Sequence, residues 1–160
     1  MALKPDRVEH LTDISFYKND AVAERGLILA HSTGGSGAAM DDALAQVVDV
    51  AAYTDNPAGL LLNDVVNIDL TRQQYNAHKD EVQLGGKVTL LRRGTVVTDQ
   101  ISGTPTIGER AYFVLDGRLC GESSYPGGTG FNNEPDGAQV GRFLSVPDAD
   151  GYVKVEINIV

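Results

Sequence analysis

Residues 153–159 read Val153-Lys154-Val155-Glu156-Ile157-Asn158-Ile159. Four β-branched side chains alternate with three polar ones. A period of two sends the apolar set to one face of a strand and the polar set to the other. Just upstream lies the turn pair Asp150-Gly151, preceded by Val140-Gly141-Arg142-Phe143-Leu144. An apolar run, a turn and an alternating run together predict a hairpin.

Working outward, the same pattern recurs. Asp116-Gly117 separates 110–115 from 118–120, with Tyr112 and Val114 on the face opposite Ala111, Phe113 and Leu115. Val66, Ile68 and Leu70 alternate with Asn67, Asp69 and Thr71, and Gly94 divides two valine- and leucine-rich runs. Strands are therefore expected near 59–62, 65–71, 87–91, 95–101, 110–115, 140–146 and 152–159, with 26–30 a shorter candidate. Residues 41–53 read two ways. Leu44, Val47, Val48 and Ala51 fit a helical stripe, whereas Val48, Val50 and Ala52 fit a strand that valines favour. The expectation is a short helical turn near 40–44 and a strand from about 45, with 72–79 the other place for a helical turn. Glycine-rich links at 34–37 and 123–137 are too polar for core elements.

The predicted fold is mainly β: a compact β-barrel or β-sandwich with a long Gly-rich loop at 123–137. Residues 1–20 form an N-terminal arm and residues 21–160 a single β-rich domain. In the arm Leu3, Val8, Leu11, Ile14 and Phe16 are scattered among charges without a sustained period, and Pro5 opposes a helix.

A chain of 160 residues suffices for one domain with its own core. Its 18 glycines exceed the usual share of about 7% and favour turns over long helices. Thirteen basic against 22 acidic residues give a net charge of −9, which disfavours a nucleic-acid partner. The only adjacent basic pair is Arg92-Arg93. One cysteine, Cys120, excludes an internal disulfide and a cysteine-only zinc cluster. No apolar run reaches the length of a membrane helix, and MALKPDRVEHLTD has no signal-peptide core, so neither membrane insertion nor classical secretion is expected.

Catalytic signatures fail one by one. GGSG at 34–37 lacks the Lys-Ser/Thr ending of a phosphate loop. If Gly151 is set as the invariant glycine of a calcium loop, Val146 and Ile157 fall at positions that need oxygen ligands. His10, His31 and His78 have no zinc spacing, and Cys120 and Ser123-Ser124 lack a nucleophile context. No catalytic residue, cofactor or metal is expected.

The order of segments is nonetheless distinctive. PAGLLLNDVVNIDLT at 57–71, EVQLGGKVTLLRRGTVVTD at 81–99 and TIGERAYFVLDGRL at 106–119 precede the glycine-rich loop, and VGRFLSVPDADGYVKVEI at 140–157 follows it. This run, with FYKNDAVAERGLIL at 16–29, resembles the capsid decoration (cement, or head-stabilisation) proteins of tailed bacteriophages. The resemblance implies a β-tulip-like domain on the outer surface of a capsid, made in the host cytoplasm and carrying out no reaction. It also implies contact with the major capsid protein and self-association, most simply as a homotrimer. The arm is the expected capsid-binding element, through Leu3, Lys4, Arg7, Val8, Leu11, Ile14 and Phe16. A different reading is a glycan-binding β-sandwich that uses Tyr125 and Phe131 of the 123–137 loop. A third is an enzyme assembled from dispersed Asp and His residues.

Overall fold

The computed structural model describes residues 2–32, 47–67, 81–127 and 135–159. These contain fourteen strands: β1 (Val8–Asp13), β2 (Tyr17–Lys18), β3 (Ile28–His31), β4 (Val47–Asp49), β5 (Pro57–Leu61), β6 (Asp64–Val66) and β7 (Glu81–Gln83), followed by β8 (Gly86–Lys87), β9 (Leu90–Thr98), β10 (Ile101–Ser102), β11 (Arg110–Phe113), β12 (Leu119–Gly121), β13 (Gly141–Phe143) and β14 (Val153–Asn158). A 3-10 turn at Glu122–Ser124 is the only helical element among the described residues.

The main sheet runs β10-β12-β11-β13-β14-β9-β5-β3-β4, with β1 joined to β9, and it curls into a half-barrel. The principal core includes Ile28, Leu60, Leu91, Val96, Phe113, Leu119, Phe143, Val155 and Ile157. The alternation at the C-terminus is realised as expected: Val153, Val155 and Ile157 are buried, and β14 pairs antiparallel with both β13 and β9. At Gly141, between β11 and β14, an added Cβ would collide with the Glu156 carbonyl oxygen. The Val-Gly-x-Phe pattern is therefore a backbone approach followed by a core phenylalanine.

Two smaller apolar clusters back the sheet. Leu29, Val47, Ala58, Leu61, Val65, Val88 and Leu90 pack together with Phe16 and Val82, near the two-stranded pairs β2-β8 and β6-β7. Tyr112, Val114 and Cys120 pack against Tyr53 and Tyr125. This explains why both alternating sets of 110–114 are apolar: Ala111 and Phe113 enter the main core, Tyr112 and Val114 the outer cluster.

The structure also differs from the sequence expectations. Gly94 does not divide two strands; β9 runs unbroken through it for nine residues. Glycine is needed there because β1 passes so close that an added Cβ would collide with the Val8 carbonyl oxygen. The strand expected at 65–71 begins as β6, and the rest of it lies outside the described residues, as do the turns expected at 40–44 and 72–79. Strand β4 starts at Val47, in line with the strand reading of that segment.

Candidate functional site

The N-terminal segment, which shows no sustained period in the sequence, is nonetheless packed against its own domain. Ala2 and Leu3 are buried, Leu3 in the principal core. The Ala2 carbonyl accepts the Thr98 hydroxyl at 2.8 Å, and the Lys4 N–H donates to the Val97 carbonyl at 2.9 Å. Beyond them β1 continues antiparallel along β9, from Val8 opposite Thr95 to Asp13 opposite Leu90. Residues 90–95 of β9 therefore have β1 on one side and β5 or β14 on the other. Burying Leu3 and satisfying main-chain groups offsets the ordering entropy that would otherwise leave a terminus frayed.

The segment is fixed again at its far end. The Ser15 N–H and hydroxyl both donate to the Asp13 carboxylate, at 2.8 and 2.6 Å. Phe16 packs on the second cluster and meets the His31 ring edge-on at 5.3 Å. Lys18 has no exposed side-chain surface; its ammonium donates to Asp20 and to the Ala21 carbonyl and pairs with Asp49 at 3.0 Å. Burial works to raise the Asp20 carboxyl, but the Lys18 hydrogen bond, the Asp49 N–H and the Lys18 charge hold it below the usual aspartate range.

Between these anchors the segment lies open. Val8 is 47%, Leu11 52% and Ile14 62% exposed, three apolar side chains within seven residues of chain. No other strand among the described residues pairs with β1 on its far side. The register shifts on either side of Leu11, skipping first His10 on β1 and then Arg92 on β9, as β-bulges do. Of the seven arm residues named from sequence, Val8, Leu11 and Ile14 form this open face. Leu3 and Phe16 instead anchor the segment to its own domain. Lys4 pairs with Asp148 at 3.1 Å and lies over the Tyr152 ring, and Arg7 pairs with Glu9 at 2.6 Å.

The other candidates take structural roles. Asp148 accepts the N–H groups of Asp150 and Tyr152, as a turn-forming aspartate does. Glu109 accepts from Thr106 and Ser123 and ties the start of β11 to the 3-10 turn. Tyr125 packs edge-on against Tyr53 and beside Tyr112, and its hydroxyl donates to Asp136. Its half-buried ring is thus packed against two other tyrosines, while Phe131 lies outside the described residues. Among the described residues no group of three or more His, Cys, Asp or Glu side chains is placed to hold a metal ion. No helix among them is long and apolar enough to cross a membrane.

Sequence reasoning missed the neighbouring surface. Arg92, Arg93, Leu11, Asn158 and Ile159 line a hollow of about 330 Å³, and Asn158 also lines a second hollow with Gln139, Gly141, Arg142 and Glu156. The adjacency of Arg92 and Arg93 was visible in the chain. Arg142 and Asn158 reach the same surface only through strand register.

A family model described as "Structural cement protein (E217 gp24/Pam3 gp6)" matches residues 11–158. The chain belongs to the phage structural cement protein family. No curated protein matches it. As a cement protein it is a structural component of the phage capsid, and nothing in its family speaks for catalysis.

Proposed function

We propose that this cement protein binds the outer surface of the capsid through its N-terminal segment, contacts the major capsid protein and stabilises neighbouring capsomers. The observation that carries the reading is the open apolar face of Val8, Leu11 and Ile14 on a segment anchored at both ends. A preformed strand binds without the ordering cost that a disordered arm would carry. Its main-chain edge suits addition of an extended segment from a capsid subunit. Self-association as a homotrimer on the shell follows from multivalency, since linked copies raise the effective concentration at adjoining sites.

The test is co-sedimentation of the triple variant Val8→Ser, Leu11→Ser, Ile14→Ser with undecorated shells. These side chains are already exposed, so the variant should keep the melting temperature of the parent and lose shell binding. Equal binding by parent and variant would sink the reading. Electron microscopy of decorated shells examines the arrangement, and isolated copies without mutual contact would exclude the trimer.

A further inference from the structure

The distribution of cations points to a second element of recognition. Among the described residues Lys4, Arg7, Lys18, Arg25 and Arg118 have carboxylate partners within the chain. Lys87 lies over the Tyr17 ring. Arg92, Arg93, Arg142 and Lys154 have no such ion pair, although acidic residues outnumber basic ones by 22 to 13. All four stand on the adjoining strands β9, β13 and β14. Arg92 also keeps its Nε buried with no hydrogen-bond acceptor.

Register sets these groups in rows across the sheet. One row runs Arg110, Arg142, Glu156, Thr95, Val8, and another, beyond the row of Gly141, Ile157, Gly94 and Glu9, runs Asn158, Arg93, Leu11. Glu156 is the one carboxylate in these two rows, opposite Arg142. The rows thus grade from apolar at β1 to basic further in, and the hollow of Leu11, Ile159, Arg92 and Arg93 combines both characters.

We infer that this surface seats an extended acidic peptide segment of the capsid protein, with apolar side chains on Leu11 and Ile159 and carboxylates on Arg93 and Arg142. The inference rests on the capsid-binding reading above and adds the chemistry of the partner. Arginine is suited to the role because its planar fork can take a carboxylate bidentately. The overall charge of −9 disfavours a phosphodiester chain, whereas a local basic patch can still steer an acidic peptide.

The experiment compares Arg93→Glu/Arg142→Glu with Lys87→Glu/Arg118→Glu, which changes net charge equally on other surfaces. In co-sedimentation with undecorated shells the first pair should weaken binding about tenfold or more and the second should leave it unchanged. Parent binding should weaken as salt rises from about 0.1 M to about 1 M, where the screening length falls from about 10 to about 3 Å. Unchanged binding by the first variant overturns the inference while leaving the capsid reading intact. A second arm needs no shells: titration of the labelled parent with a peptide alternating Glu and Leu, followed by amide shifts. Shifts at Arg93, Arg142 and Asn158 are expected and should vanish in the first variant. Their absence in the parent, or equal shifts with a single-stranded oligonucleotide, overturns the inference even if shells are not bound at all.

Discussion

Cys120 shows how burial sets the chemistry of a single residue. It is fully enclosed beside Tyr112, and burial, assisted by the Glu109 charge, pushes its thiol up to about 12. Native protein near pH 8 should therefore leave a thiol-reactive disulfide reagent unconsumed, with one equivalent reacting after urea is added. Rapid reaction of the folded protein would contradict this placement. Lys18 presents the opposite case, a buried charge held by partners. Asp20 has its carboxyl lowered, so its contribution to stability is present above the ordinary aspartate range and is lost as pH falls through the lowered value. Asp20→Asn should lose about 2 kcal/mol at neutral pH. It should also show a shallower loss of stability than the parent from about pH 5 to about pH 3. Urea midpoints across pH test both, and parallel pH profiles would refute the assignment. Neither residue's state was legible in the sequence. A lysine reads as surface until Asp20 and Asp49 are brought together around it.

Among the elements, legibility followed asymmetry of environment. β14 and β11 were visible because each presents distinct sets of side chains to distinct surroundings. β1 was invisible because its side chains are largely exposed, leaving no alternation to read. Gly94 misled for a related reason: a glycine within an apolar run suggests a turn, and only the close passage of β1 explains it as a mid-strand contact. Gly94→Val tests that explanation. The added side chain should force β1 off β9, lowering stability by about 1–3 kcal/mol. It should also speed hydrogen exchange at the Lys4 amide, which donates to Val97. If neither stability nor exchange changes, β1 does not lie where the structure places it.

For the whole molecule, the mainly β class and the order of the C-terminal hairpin followed from the chain alone, because long-period turns and two-residue alternation are local signals. The curl of the sheet and its satellite clusters did not, since they depend on which distant strands meet. The candidate surface divides in the same way: Val8, Leu11 and Ile14 could be named as apolar residues of one segment, whereas the rows through Arg142 and Asn158 exist only once β13, β14 and β9 are in register. The pairing of β1 with β9 also constrains the birth of the protein. Val8 leaves the ribosome about ninety residues ahead of its partner Thr95, a delay of several seconds at about 5–20 residues per second. Throughout that wait the strand has no partner to pair with. Such long-separated pairing makes folding slow, on the order of milliseconds to seconds after synthesis. The surface later offered to a shell is thus first a nascent-chain hazard, silenced only when β9 emerges and draws β1 alongside.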